Sequence, residues 1–390
     1  MSKDNKYIPS GYKPSPLGPI PEEWEVKRLG EICTHFKSGI TITSKDIHED
    51  GLYPVYGGNG LRGYANTFTH DGSYILIGRQ GALCGNVNYV DGKNYISEHA
   101  IAVQTNENMQ WLKYKLENWN LNRFSESSAQ PGLSVEKLVR YKLSVPTLKE
   151  QNKIADILSL WDTAIAKQTA LIEKLTLRKR GLMQQLLTGK KRLKGFEGEW
   201  KRTPIKDFAK EVSIRNSNHE DHIVLSCTKY DGLVPSLEYF GKQIYSDDLS
   251  TYKKIPQGHF AYATNHIEEG SIGYQSKYEQ SLISPMYTVF ITDRKKVDDA
   301  FLFAVFKSHH LIHLYKSMME GSINRRGGLR WDSFSTIKIN LPPLDEQTAI
   351  ASVLINADKE IEIQKQKLAA IQEQKNGLMQ VLLTGKRRIK

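Results

Sequence analysis

The sequence predicts an α+β protein built by tandem duplication. Two mixed α/β domains are joined by two long helices that pair as an antiparallel coiled coil about a pseudo-two-fold axis. Three observations carry this expectation. Gly132 to Lys194 returns without gaps as Gly328 to Lys390 at one fixed offset of 196 residues, so that Glu150-Gln151 reappears as Glu346-Gln347. The repeated stretch has the heptad spacing of a long helix. The stretches between the copies hold short apolar runs broken by glycine and aspartate turns, as in mixed α/β domains. A repeat this long is a duplicated domain plus helix rather than a solenoid unit.

Residues 1–21 are polar and rich in proline and glycine, which predicts a flexible arm. Residues 22–145 form the first domain, 146–194 the first repeated helix, 195–341 the second domain and 342–390 the second helix. Trp24 and Trp200 open similar short segments at an offset of 176, so the second copy carries 20 extra residues before its helix. Between these frames, Cys33–Gln130 and Ala209–Gly327 share almost nothing by eye. Strands are expected at Ser73–Ile77 and Tyr287–Ile291, and one helix in each domain, at Met109–Asn120 and Asp298–Met319.

In the first repeated helix Ile154, Leu158, Trp161, Ile165, Gln168, Ile172, Leu175, Leu182 and Leu186 form an a/d seam. The second seam is Ile350, Leu354, Ile361, Gln364, Leu368, Ile371, Leu378 and Leu382. Prolines before the helices and Gly189 and Gly385 after them fit the usual punctuation. Roughly 38 residues at ~1.5 Å each give a helix about 57 Å long, and its copy is the natural partner. Head-to-tail pairing puts Ile154 near Leu382, Leu186 near Ile350 and Trp161 near Lys375, with Gln168 and Gln364 close to the centre. Those glutamines either set register or point to solvent. Gly181 and Gly377 interrupt each helix about two turns before its end.

The chain has 390 residues and a formal net charge of +11, which favours a polyanionic partner. No apolar run approaches the ~18 residues of a membrane span, and Cys33, Cys84 and Cys227 lack metal-type spacing. A reduced, cytoplasmic protein is expected. No catalytic motif stands out: Leu-Thr-Gly-Lys190 and Leu-Thr-Gly-Lys386 carry only the last two letters of a phosphate loop, at a helix end. Of His309, His310 and His313, two can share a helix face, as weak metal ligands or as a solvated or DNA-facing surface. The basic runs Lys190–Arg192 and Lys386–Arg388 can touch phosphate, complement a helix dipole or bind a protein.

The glycine-rich loops hold the candidate DNA contacts. These are Arg62, Tyr64, Arg79, Gln80, Asn86 and Gln130 in the first domain, and Lys229, Tyr230, Asn265, His266, Gln275, Arg325 and Arg326 in the second. Arginine, asparagine and glutamine can bond bidentately to purine edges, and lysine and backbone amides hold phosphates. For any single residue the competing reading is an ordinary exposed polar side chain.

The duplicated Leu-x-Glu-Gln-x-x-Ile-Ala and Gly-Leu-Met-Gln-x-Leu-Leu-Thr-Gly-Lys blocks follow Trp-led variable segments. With Gln130-Pro-Gly-Leu133, Ile272-Gly-Tyr274 and Ser284-Pro-x-Tyr287, they make the chain resemble the specificity subunit of type I restriction–modification systems over nearly its full length. Arg326-Gly-Gly-Leu329 departs from the first copy's Gln-Pro-Gly-Leu. The resemblance implies two target-recognition domains, each reading one half of an asymmetric bipartite sequence in double-stranded DNA. It implies that the paired helices set the spacer and dock two methyltransferase subunits, and that endonuclease/translocase subunits complete the complex. It further implies no catalysis and no cofactor on this chain, with adenosylmethionine, ATP and Mg on the partner subunits. A helix pair of about 57 Å would keep the domain centres within roughly 17 base pairs. The rival classes are a self-contained enzyme and a structural adaptor whose coiled coil joins proteins without reading sequence, which sequence-blind DNA binding would favour.

Overall fold

The computed structural model describes residues 8–81, 83–125, 132–320 and 328–389. The chain divides into two compact units, Met1–Ala170 with Lys365–Lys390, and Leu171–Gln364. The first unit begins with β1 (Tyr12–Lys13) paired to β2 (Ile20–Pro21). It continues through β3 (Glu25–Arg28), α1 (Leu29–Ile32), β4 (Cys33–Ser38), β5 (Tyr53–Gly57), β6 (Gly60–Ala65), β7 (Tyr74–Gly78), β8 (Val87–Val90), β9 (Tyr95–Ile96) and β10 (Ala100–Thr105). Then come α2 (Met109–Asn118), α3 (Val135–Leu138), β11 (Lys142–Val145) and the first part of α4 (Leu148–Leu186).

The second unit takes the rest of α4, then β12 (Lys201–Pro204), β13 (Ala209–Val212), β14 (Val224–Thr228), β15 (Gly232–Pro235), α5 (Ser236–Phe240), β16 (Lys253–Pro256), β17 (Phe260–Ala263) and β18 (Ile272–Tyr274). It is completed by β19 (Gln280–Ile283), β20 (Tyr287–Thr292), α6 (Asp299–Phe306), α7 (His309–Glu320), α8 (Trp331–Phe334), β21 (Lys338–Leu341) and the first part of α9 (Leu344–Leu382).

The domains that share almost no letters share their sheets. The first unit has the antiparallel order β4-β10-β7-β8, the second β13-β20-β17-β18. Each unit adds a sheet with one parallel pair, β5 with β9 and β14 with β19. A two-stranded ribbon closes each frame, β3 with β11 and β12 with β21. What the two domains preserve is alternation. Ile75 and Ile77 of β7 join the core under α2, while Tyr74 and Leu76 join a second cluster on the other face. Likewise Phe260 and Tyr262 of β17 face one cluster and Ala261 the other. Strand side chains alternate between faces, so a strand covered on both sides reads as an unbroken apolar run.

The helix expected at Asp298–Met319 is two helices. Lys307 ends α6, and Ser308 starts α7 by accepting from the Leu311 amide at 3.4 Å. A serine at a cap position competes with continued helix, which is why the periodic pattern hid the break.

Both long helices run through Gly181 and Gly377 without interruption. In the first unit Asp162 and Lys375 pair at 2.5 Å, and Ile154, Leu158 and Leu382 share one core. In the second, Lys179 pairs with Asp358 at 2.5 Å, Arg178 pairs with Glu360, and Leu186, Ile350 and Leu354 share the other core. The segments therefore run antiparallel within each unit. Of the seam positions, Ile154, Leu158, Gln168, Leu175, Leu186, Ile350, Leu354, Ile361 and Leu382 are buried; Trp161, Ile165, Ile172, Leu182, Gln364, Leu368, Ile371 and Leu378 are half-buried. Leu160, Leu171, Leu177, Ile355 and Ile363, off the seam, are exposed. The ring under the Lys375 ammonium is Tyr114, at 5.0 Å, where the heptad spacing alone pointed to Trp161.

The repeated Glu-Gln pair fastens each helix to its domain. Glu150 is 4% exposed and accepts from Trp24 Nε1 at 2.8 Å and from Arg388 Nε at 2.8 Å. Glu346, fully buried, accepts from Trp200 Nε1 at 3.2 Å and from Arg192 Nε at 2.5 Å. Gln151 Oε1 receives the backbone amide of Asn108, the N-cap of α2, at 2.9 Å; Gln347 Oε1 receives that of Asp298, the N-cap of α6, also at 2.9 Å. The last arginine of each basic run is thus an ion-pair partner of a buried carboxylate. Gly189 and Gly385 take φ +70° and +77°, which lets the chain leave each helix over Trp200 and Pro21.

One buried charge breaks the symmetry. Lys115 of α2 donates to Ser144 Oγ at 3.1 Å and to the Leu383 carbonyl, and it has no carboxylate partner among the described residues; counting from the caps, Val305 holds its place in α6. Burial drags its pKa down from 10.5 to about 7. Between those values the unfolded chain keeps a proton that the folded chain has released, so stability rises with pH across that window. Urea denaturation of the parent should therefore show about 2 kcal/mol more stability at pH 9 than at pH 7, at ~1.36 kcal/mol for each tenfold fall in proton activity. Lys115→Met should lack this increment. Equal pH dependence in the two proteins would show that Lys115 keeps its proton when folded.

Candidate nucleic-acid interface

Several of the candidate contacts lie just beyond β7 and β17, the strands of the two main sheets that are buried along their whole length. Beyond β7 the chain turns through Gly78–Gly81. The Arg79 amide donates to the His99 carbonyl at 2.9 Å, and the Arg79 carbonyl accepts from the Leu133 amide at 2.9 Å. Glycine lets three backbones crowd together here. A Cβ on Gly58 would lie 2.9 Å from the His99 carbonyl oxygen, and one on Gly57 would lie 2.6 Å from Arg62 Cδ. Asn86 joins through its carbonyl, which accepts from the Gly78 amide at 2.8 Å. Arg62, Gln80 and Asn86 are exposed and Arg79 is half-buried, so these four rise from one packed backbone platform. His99 stands with them, its Nδ1 3.3 Å from Gln80 Oε1 and its Nε2 3.2 Å from Glu98. Tyr64 is held elsewhere: its amide and carbonyl both pair with His48, and its Cβ abuts the Gly51 turn.

The second unit repeats this platform with other letters. The Thr264 carbonyl, just past β17, accepts from the Leu329 amide at 2.9 Å, and Leu133 and Leu329 are the same repeat position. Thr264 Oγ1 donates to the Met286 carbonyl at 3.1 Å, and Asn265 and His266 project outward, exposed. Asn265, Thr264, Lys253 and Arg330 line a 430 Å³ hollow. Burial pushes the pKa of Lys253 down, and its ammonium is spent on the Tyr287 carbonyl at 2.6 Å. His266 Nδ1 lies 3.5 Å from Glu269. Lys229 and Tyr230 are exposed on the β14–β15 turn, with the Lys229 ammonium 5.3 Å from the Tyr230 ring centre and its carbonyl held by Lys307 Nζ at 2.8 Å.

Gln275 is a correction. It is 2% exposed, its Nε2 donates to Ser281 Oγ at 2.5 Å, and its Oε1 accepts from the Lys277 and Tyr278 amides. Both ends of the amide are consumed in folding its own loop, leaving nothing for a base edge. Gln130, Arg325 and Arg326 lie outside the described residues. His99, Thr264 and Arg330 were not singled out from the sequence. His99 carries no local pattern, and Arg330 falls at the repeat position that holds Ser134, the N-cap of α3, in the first copy.

Each platform thus presents hydrogen-bonding side chains over a tied backbone, glycine-rich in the first, a chemistry suited to base edges and phosphates. Arg79→Ala should weaken binding to a target duplex about 10- to 100-fold, the ~1–3 kcal/mol of one good bidentate contact, and relax selection in one half-site only. Fluorescence anisotropy of the assembled complex on targets mutated in each half would check this. Equal relaxation in both halves would remove Arg79 from base readout.

A family model for the type I restriction modification DNA specificity domain matches residues 21–177 and again 200–373. The type I restriction enzyme EcoprrI specificity subunit of Escherichia coli is 45% identical over 147 residues, 36% of each chain. The MjaVIII specificity subunit of Methanocaldococcus jannaschii is 25% identical across 95% of this chain and 94% of its own. Among solved structures, the S subunit of a type I restriction-modification system from M. genitalium superimposes with a TM-score of 0.58 at 14% identity, covering 92% of this chain and 96% of that one, a likeness of fold.

Proposed function

Because the chain belongs to the type I restriction modification DNA specificity family, we propose that its two platforms read the two halves of an asymmetric bipartite DNA target. The chain is a specificity subunit with two target-recognition domains, a recognition component rather than a catalyst. The observation that carries the asymmetry is the shared backbone tie. Leu133 to Arg79 and Leu329 to Thr264 are the same hydrogen bond in equivalent places, yet Arg79-Gln80 stands over one and Asn265-His266 over the other. One scaffold with different donors and acceptors suits two different half-sites.

In this reading the paired helices fix the spacer and dock two methyltransferase subunits, and endonuclease/translocase subunits complete the assembly. Adenosylmethionine, ATP and Mg belong to those partners, and the complex works in the cytoplasm. Among the described residues no helix is long and apolar enough to cross a membrane. The surplus of positive charge supports a DNA partner.

The test is genome-wide mapping of methylated bases with and without the gene. Loss of one bipartite asymmetric motif on deletion is expected. Exchange of residues 22–145 for another recognition domain should then rewrite one half-site and leave the other. A change in both halves would defeat the division of labour.

A further inference from the structure

The duplication allows one groove to be compared with its twin. In the first unit a 360 Å³ hollow runs between β11 and the segment around Lys115 and Trp119, with Thr384 at its edge. Leu17, Pro19 and Ile20 of the N-terminal arm form one wall of it. Ile20 is 3% exposed and part of the core, Tyr12 Oη donates to the Gly385 carbonyl at 2.7 Å, and Glu23 pairs with Arg388 at 2.5 Å. An extended apolar segment therefore lies along the first groove, and the acid that follows it, Glu23, reaches Arg388 outside the groove lining.

The equivalent groove of the second unit is a 1160 Å³ opening. Thr188 replaces Thr384, and Lys338–Asn340 replace Lys142–Ser144, at the repeat offset; Val305 replaces Lys115, counted from the helix caps. Leu187, Leu311 and Ile339 line its base. Arg180, Lys190, Arg202, Lys307 and Lys338 surround it with His309, His310 and His313, and among the described residues no aspartate or glutamate lines it. His309 and His313 face each other, Nε2 to Nε2, at 3.1 Å. Among the described residues, none of the N-terminal arm lines this groove.

We propose that this second groove is a docking site for an extended acidic segment of another polypeptide, anchored by an apolar side chain. The occupant of the twin groove chooses the extended form and the apolar anchor, and charge complementarity chooses the acidic character. Five arginines and lysines without a carboxylate favour an acidic strand. The apolar base favours a side-chain anchor over a phosphate backbone, which carries none. This site goes beyond DNA recognition and does not require it.

The probe is a fluorescein-labelled peptide with the sequence of Ser15–Glu23, added to the full chain. A saturable anisotropy rise is expected, weakened at least about tenfold by the double substitution Arg202→Glu, Lys338→Glu. Both residues are exposed, so the fold should survive. Lys142→Glu, at the first groove, should leave the affinity unchanged. Absence of saturation by about 1 mM peptide, or binding indifferent to the double substitution, would overturn the proposal. So would loss of non-target duplex binding in the double variant with peptide binding intact, which would make the groove a nucleic-acid track.

Discussion

Glu150→Ala is expected to destabilise the first unit by about 3–5 kcal/mol, the usual cost of breaking a buried ion pair from one side. The carboxylate is nearly inaccessible and serves two donors that have no route to each other, Trp24 Nε1 and the Arg388 guanidinium. Removing it strands the buried Trp24 indole N–H and leaves the half-buried Arg388 guanidinium with Glu23 alone, so the indole must find water. Arg388 is tied to the C-terminal end of α9 and Trp24 to the start of the domain, so the helix packing should loosen with it. Native-state hydrogen exchange should show lost protection in β3, β11 and the first turns of α4, with the second unit untouched. Glu150→Gln, which keeps an acceptor, should cost less. If both variants match the parent, the cluster is an ornament of the fold rather than its fastening.

The second large effect is expected at a glycine that the two copies share by position but not by environment. Gly328 has φ +63°, and a Cβ there would lie 2.4 Å from Asn265 Oδ1 and 2.5 Å from the Thr264 carbonyl oxygen. Gly328→Ala should cost about 2–4 kcal/mol locally, combining left-handed strain of about 1–2 kcal/mol with overpacking of about 1–3. It should also displace the platform carrying Asn265 and His266, so recognition of the second half-site should fail while the first persists. Gly132, its repeat partner, has nothing nearer than the Arg79 carbonyl oxygen at 3.9 Å. Gly132→Ala should be neutral within about 0.5 kcal/mol. Methylation of targets intact in only one half would separate the variants, and equal behaviour would refute the steric account.

The helices, their antiparallel pairing and the duplication were legible in the sequence because they rest on local periodicity and literal repetition. Sheet equivalence was not legible. β7 and β17 preserve alternation between two apolar faces, not residues, and alternation over four or five positions does not align two segments. The repeated Glu-Gln could be seen but not understood, since the arginine that meets Glu150 lies at the far end of the chain. The basic runs left three roles open for the same reason. Gln275 looked available because Ser281 and the turn amides that consume its amide are brought to it only by folding. Arg79, Gln80 and Asn86 could be grouped from the sequence because glycines surround them there as they do in space. His99 was missed because its approach to Gly58 is a long-range event.

The fastening of the long helices also sets an order of assembly. The second unit is one uninterrupted stretch, Leu171–Gln364, and its clamp joins Arg192 to Glu346 inside that stretch. The first unit needs Lys365–Lys390 for its core, and its clamp waits for Arg388. On a ribosome making protein from the N-terminus, the half written second is therefore the half able to close first. The half written first must hold Trp24, Ile154 and Leu158 without their final cover until the residues of Lys365–Lys390 have emerged. A released chain ending at Gln364 should resist protease across the later half and be cut within the earlier one.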